Sequence, residues 1–207
     1  MSQYFENDKN IKSQLKKINY LIFNKNFTFY TDNGVFAKNG VDYGSKLLLE
    51  TIVDSSFLYH SILDVGCGYG TLGIILNKVY NCPTTMIDIN KRALHLARRN
   101  ILENKCNDIL IFESDAYAKI EDKYDLIITN PPIHAGKKKV YEILLEAKNY
   151  LTENGKLFFV IHKDQGAKSV IRDLSEKYKI EVLRKEKGFF IILAQNSWLV
   201  ARIVLII

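Results

Sequence analysis

One strand–loop–helix junction constrains this chain more than anything else in it. Residues 61–65 are a short apolar run that breaks into Gly66-Cys67-Gly68-Tyr69-Gly70, and an apolar helical pattern follows over 71–79. Glycine reaches positive φ at no steric cost and carries no Cβ to keep a ligand off the backbone. A turn of this kind, between a buried strand and a helix, marks a ligand crevice at the strand ends of an open α/β sheet.

The rest of the chain fits that frame. Residues 84–89, 109–112, 124–129 and 156–161 read as strands, and the fourth-strand run at 124–129 as one covered on both faces. Helical patterns alternate with them at 90–103, 140–151 and 166–178. Asn90 is a plausible N-cap of the first, with Ala93, Leu94, Ala97 and Ile101 inward; Glu153-Asn154-Gly155 stops the second. The alternation predicts a parallel sheet with helices on both faces. Residues 180–183 and 189–194, joined by a charged turn at 185–188, predict an antiparallel addition at the end. Ahead of this core, 20–38 read as a small antiparallel meander with turns at 24–26 and 32–34. Residues 42–52 read as a helix carrying Leu47, Leu48 and Ile52 on one face.

The glycine spacing admits two ligands. Gly68, Gly70 and Gly73 fit the dinucleotide fingerprint, in which helix-start amides hold a pyrophosphate. Gly66, Gly68 and Gly70, preceded by Asp64, instead resemble the nucleotide loop of methyltransferases. S-adenosylmethionine has no phosphate, and an acid at the strand end can hold its ammonium directly or through water. Asp88, about 20 residues after the loop, suits the two ribose hydroxyls in either reading, or serves only as a charge ahead of the next helix. Asp115, after the third strand, can accept from an adenine amine, or is a solvated loop acid.

Thr129-Asn130-Pro131-Pro132-Ile133-His134 separates the two ligands. Two prolines fix φ twice and donate no hydrogen bond, which holds the Pro131 carbonyl in a rigid turn. The side-chain oxygen of Asn130 is a second acceptor. Together they can accept both protons of a planar NH2 group and favour a nitrogen whose lone pair faces a methyl sulfonium. Hydride transfer has no use for such a pair, so the dinucleotide reading recedes. A purely structural Pro-Pro turn is the plainer reading. His134 and His162 read as loop and strand-end residues, since this chemistry needs no acid–base histidine.

With these residues in view, the chain resembles the small-domain S-adenosylmethionine methyltransferases related to the bacterial small-subunit ribosomal RNA guanine methyltransferase RsmC, and most of all their single-domain Gram-positive branch. The resemblance runs over about 27–194 and rests on stretches 27–36, 41–45, 64–70, 86–90, 130–138 and 163–167. It implies a seven-stranded class I, Rossmann-like α/β sheet, mostly parallel with an antiparallel last strand. It also implies S-adenosylmethionine at Asp64, Gly66, Asp88 and Asp115, with Cys67, Gly68, Gly70, Ile89, Ala116 and Asn130 in the same shell. Asn130, Pro131 and Pro132 are the implied catalytic turn. Many relatives carry an aromatic residue after the prolines, where this chain has Ile133, so stacking on a target base falls to Phe36 or His134, unless these simply pack. Lys137, in Lys137-Lys138-Lys139, can meet phosphate beside a flipped base, or belongs to a solvated helix start.

Composition agrees without deciding. The 207 residues, 47% hydrophobic, suit one domain, with the meander at 20–40, the catalytic core at 41–194 and an unassigned tail at 195–207. A formal net charge of +6 predisposes the chain to polyanions. Cys67, Cys82 and Cys106 form no Cys-x-x-Cys pair, so reduced cytosolic thiols are expected and no metal. No signal peptide is read at the start, and the apolar run at 197–207, interrupted by Arg202, is too short to span a bilayer. The expected protein is a cytoplasmic methyltransferase of small-subunit ribosomal RNA or the small ribosomal subunit. Its rivals are an amine methyltransferase acting on DNA adenine or protein glutamine, and a cofactor-binding ribosome-assembly factor without catalysis.

Overall fold

The computed structural model describes residues 12–196, so the apolar run at 197–207 lies outside the described residues. A hairpin comes first, β1 (Lys16–Ile22) and β2 (Lys25–Thr31), followed by α1 (Tyr43–Asp54). The core then runs β3 (Ile62–Val65), α2 (Thr71–Tyr80), β4 (Thr84–Asp88), α3 (Lys91–Glu103), β5 (Ile109–Glu113) and β6 (Tyr124–Thr129). It closes with α4 (Lys137–Glu146), β7 (Leu151–His162), α5 (Ala167–Leu174), β8 (Tyr178–Glu186) and β9 (Phe189–Asn196).

The seven core strands lie in the order β5-β4-β3-β6-β7-β9-β8. All neighbours are parallel except that β9 runs antiparallel to both β7 and β8. From β3 the chain winds outward through β4 and β5, then crosses back to β6. The order therefore reverses between β3 and β6, the place where such sheets bind ligands. Strand alternation feeds two apolar layers. Ile62, Phe158 and Val160 face Leu47, Ile52, Ile74 and Ile75; Leu63, Val65, Phe159 and Ile161 face Tyr117, Leu144 and Val170. That two-sided burial is why these strands read as near-continuous apolar runs.

Several sequence expectations shift. The expected meander is a two-stranded hairpin that starts earlier, at Lys16, and ends at Thr31, where Asp32 turns the chain by accepting from the Asn33 amide at 2.7 Å. In place of a third strand, Asn100 on α3 and Asn104, its C-cap, satisfy β2. Asn100 donates to the Tyr30 carbonyl at 3.0 Å and accepts from its amide at 2.6 Å, and Asn104 does the same with Thr28 at 2.7 and 3.0 Å. On α3, Ala93, Leu94 and Ala97 are buried as expected, Leu96 and Asn100 join them, and Ile101 is only partly buried.

The expected helix at 140–151 forms one turn earlier, over Lys137–Glu146. Tyr178 ends it, accepting from the Lys148 amide at 2.8 Å while donating to the Leu144 carbonyl at 2.8 Å. The stop signal at residues 153–155 is instead an irregularity inside β7, where pairing jumps from Tyr124↔Leu151 to Leu126↔Lys156. Gly155 is required there, since a Cβ would lie 2.8 Å from the Tyr124 carbonyl oxygen. Correspondingly α5 is shorter than 166–178, and β8 begins at the buried Tyr178.

Candidate active site

The ends of β3, β4 and β6 open onto a cavity of about 340 Å3 at the switch point. The glycine loop forms its floor. Amides of Gly66 and Cys67 both donate to the Ile87 carbonyl at 2.9 Å, which ties the loop to β4. Gly68 sits at φ 56°, and a Cβ there would meet nothing within 4 Å, so its backbone faces open space. Cys67 lines the cavity as a buried thiol, and burial pushes its pKa well up, which suits packing rather than nucleophilic work.

Asp88 closes one side. Its Oδ2 accepts from the Gly68 amide and its Oδ1 from the Asn90 amide, each at 2.8 Å. Burial raises its pKa, and these amide bonds pull the other way. Each oxygen keeps a further lone pair for hydroxyl donors. Ile89 and Ala116 line the cavity beside it. Asp115 also lines it, but the Lys139 ammonium, which likewise pairs with Glu142, binds Asp115 Oδ1 at 2.8 Å.

The Asn-Pro-Pro turn forms the opposite wall. Thr129 Oγ1 donates to the Val65 carbonyl at 2.8 Å and so locks the end of β6 to β3. The Pro132 carbonyl accepts from the Ala135 amide at 2.9 Å, while among the described residues no donor bonds the Pro131 carbonyl. Asn130 donates through Nδ2 to Ser45 Oγ at 3.0 Å and to the Asp42 carboxylate oxygens at 3.3 and 3.4 Å. Phe36, 45% exposed, lines the cavity, as do Ile133 and His134.

Three expected contacts lie elsewhere. Asp64 is fully buried and does not line the cavity; its Oδ2 accepts from the Gly73 amide at 2.8 Å, so it fixes the loop to the start of α2. Among the described residues its Oδ1 has no hydrogen-bond partner, and burial raises its pKa to about 7. Gly70 does not line the cavity either: at φ 98° it packs on α2 and β4, where a Cβ would lie 2.9 Å from Ile74 and Met86 side-chain carbons. Lys137 is exposed and away from the lining, its ammonium 5.0 Å from the Tyr141 ring centroid. Conversely Asp42, Ser45 and Gln165 line the cavity without having been singled out as site residues. The readable signal was Asp42-x-x-Ser45 ahead of an apolar helical run, an N-cap pattern whose oxygen here accepts from the Ser45 amide at 3.2 Å.

These residues fit S-adenosylmethionine. Its ribose diol calls for a carboxylate such as Asp88 at a loop lacking Cβ atoms, its adenine for apolar walls such as Ile89, Ala116 and Ile143, and its reacting methyl for a neighbouring acceptor turn. Fold and cavity therefore define the class, an S-adenosylmethionine-dependent methyltransferase. A family model described as the methyltransferase small domain matches residues 26–193, and the chain belongs to that family.

Among its relatives, the uncharacterized protein YbxB of Bacillus subtilis is 38% identical over 201 residues, covering 95% of this chain and all of that one. Ribosomal RNA small subunit methyltransferase C of Haemophilus influenzae is 35% identical over 161 residues, 75% of this chain and 48% of that one. The chain thus spans about half the length of that relative. Its fold is similar to that of the T. thermophilus 16S rRNA N2 G1207 methyltransferase (RsmC) solved with AdoMet and guanosine, with a TM-score of 0.80 and 22% identity over 90% of this chain and 52% of that one. Among the described residues no helix is long and apolar enough to cross a membrane.

Proposed function

We propose that this chain methylates the exocyclic amine of a guanine in small-subunit ribosomal RNA, in the cytoplasm. The observation that carries the reading is Asn130 in the cavity wall, at the head of a double-proline turn whose Pro132 ring lies 3.9 Å from where a Cβ on Gly66 would sit. Bound S-adenosylmethionine supplies an electrophilic methyl group on a sulfonium. Asn130 Oδ1 and the Pro131 carbonyl accept the two N–H bonds of the amine, which positions its lone pair and stabilises the charge that develops on nitrogen. In this reading Phe36, Ile133 and His134, which line the cavity, are the faces against which a flipped base rests, and the exposed Lys137 and Lys138, just past them in the chain, meet its flanking phosphates. The guanine assignment draws on the likeness to the two ribosomal RNA methyltransferases, one of them solved with guanosine.

The test is methyl transfer from labelled cofactor to small ribosomal subunits, naked ribosomal RNA, DNA and protein, with wild type and Asn130→Ala in parallel. The expected result is labelling of RNA at a guanine amine. Asn130→Ala should bind cofactor normally and lose about 100-fold or more in kcat, the scale seen when one preorganised hydrogen bond to developing charge is removed. Labelling confined to DNA or protein, or an unimpaired Asn130→Ala enzyme, would sink the reading.

A further inference from the structure

We infer that Asp42, with Ser45, is a positioning residue that fixes which way the Asn130 amide faces. An asparagine side chain is nearly symmetric in shape and opposite in chemistry at its two ends, one an acceptor and one a double donor. Chemistry on an amine needs the oxygen in the cavity. Nothing in the backbone of Asn130 enforces that choice, so the neighbours must.

The neighbours are specific. Asp42 approaches the Asn130 amide with both carboxylate oxygens, at 3.3 and 3.4 Å from Nδ2, and Ser45 Oγ lies 3.0 Å from the same nitrogen. A carboxylate accepts and never donates. Turning the amide over would set its oxygen against two acceptor oxygens and leave the NH2 group pointing at the substrate's own N–H bonds. Both consequences disfavour the flipped state, so Asp42 leaves a single orientation, with Oδ1 directed away from the acid. Among the described residues no protein donor occupies that oxygen.

Asp42 is itself held in place. It is the N-cap of α1, where its Oδ1 accepts from the Ser45 amide at 3.2 Å. Gly44 follows it without a Cβ, which would sit 3.2 Å from Asp42 Oδ1 and 3.0 Å from the Phe189 ring. Helix α1 packs on β7, so the buried body of the domain sets the acid's position. The cap is thus shared between a helix start and a catalytic amide, and it links residues 88 positions apart in the chain.

The inference rests on the reading of Asn130 as an amine acceptor, and a double-mutant cycle separates the two. Asp42→Asn keeps a good N-cap and nearly the same shape, but its own amide can donate as well as accept, so either orientation of Asn130 becomes satisfied. We expect kcat on the RNA substrate to fall about tenfold or more, with cofactor affinity and thermal midpoint near wild type. Ser45→Ala should cause a smaller fall of the same kind. In an Asn130→Ala background neither change should alter the residual rate by more than about twofold.

A purely structural role would lower the thermal midpoint and would lower the rate equally in both backgrounds. If Asp42→Asn keeps full activity while Asn130→Ala is inactive, the positioning role is overturned and the acceptor role stands. A further large loss in the Asn130→Ala background would also overturn it, by showing that Asp42 meets the substrate directly. If Asn130→Ala itself is fully active, the underlying reading fails.

Discussion

The Asp88 carboxylate and the Gly68 amide are joined by a 2.8 Å hydrogen bond that stitches the end of β4 to the glycine loop. One side chain therefore shapes the loop and presents its free lone pairs to the cavity it closes. Asp88→Ala removes both roles. Charge-assisted bonds to hydroxyls are worth about 1.5–3 kcal/mol, so cofactor affinity should fall about 10- to 100-fold by calorimetry. Asp88→Asn, still an acceptor toward one amide, should lose less. Unchanged affinity in Asp88→Ala would remove the ribose assignment.

Gly68 and Gly70 are two residues apart and predict opposite phenotypes. A Cβ on Gly70 would press on Ile74 and Met86 side-chain carbons at 2.9 Å, at a backbone φ of 98°. Gly70→Ala should therefore cost about 1–3 kcal/mol of stability and lower the thermal midpoint by several degrees. A Cβ on Gly68 would enter empty space, at a φ of 56° that alanine tolerates with modest strain. Gly68→Ala should weaken cofactor binding more than it weakens the fold. Equal effects from both substitutions would contradict the division between packing and ligand glycines.

The alternation of strands and helices, the antiparallel end and the cavity-facing residues after β4, β5 and β6 were legible because each is a local pattern of period, cap or turn. Three things were not. Asn100, within the expected helix at 90–103, and Asn104 just past it carry no local signal, yet their amides bind the backbone of β2, a partner some 70 residues away. Glu153-Asn154-Gly155 carries the chemistry of a helix stop, but tertiary pairing with β6 makes it a kink within a strand. Asp64 sits in the expected motif, and only its full burial shows that it bonds the start of α2 and not the cavity. In the first two cases the deciding contact is distant in sequence, where local pattern carries no information; Asp64 bonds Gly73 only nine residues on, and burial, which local pattern does not reveal, decides its role.

Asp64 also predicts a pH dependence. Burial raises its folded pKa from 3.8 to about 7, against the opposing bond from the Gly73 amide. A carboxyl with a raised folded pKa stays protonated in the native state after the unfolded chain has ionised. Its stabilising effect is thus complete below about pH 4 and lost as pH climbs toward 7. Asp64→Asn keeps an acceptor for Gly73 and cannot ionise. The stability of Asp64→Asn relative to wild type should therefore increase from pH 4.5 to 7, by at most about 1.4 kcal/mol per pH unit, in denaturant titrations of the cofactor-free protein. A flat difference across that range would show that Asp64 ionises normally despite its burial.

Lys137 and Lys138 open α4, where a cation meets the positive end of the helix dipole. Both are exposed; the Lys137 ammonium lies 5.0 Å from the Tyr141 ring centroid, and, after the Tyr141 and Arg172 hydrogen bonds, its charge helps hold the Asp173 carboxyl below its usual range. The helix dipole opposes both charges, a position that is intelligible if they serve phosphates beside the cavity. The double variant Lys137→Ala/Lys138→Ala should then be more stable by a few tenths of a kcal/mol to about 1 kcal/mol. Its RNA affinity should fall, and the slope of log affinity against log salt should become shallower by about 1.5, since each released phosphate contact contributes about 0.7–0.9. Cofactor affinity should not move. A variant that gains stability but keeps the wild-type salt slope would show that these lysines face water alone, and that RNA is held by another surface.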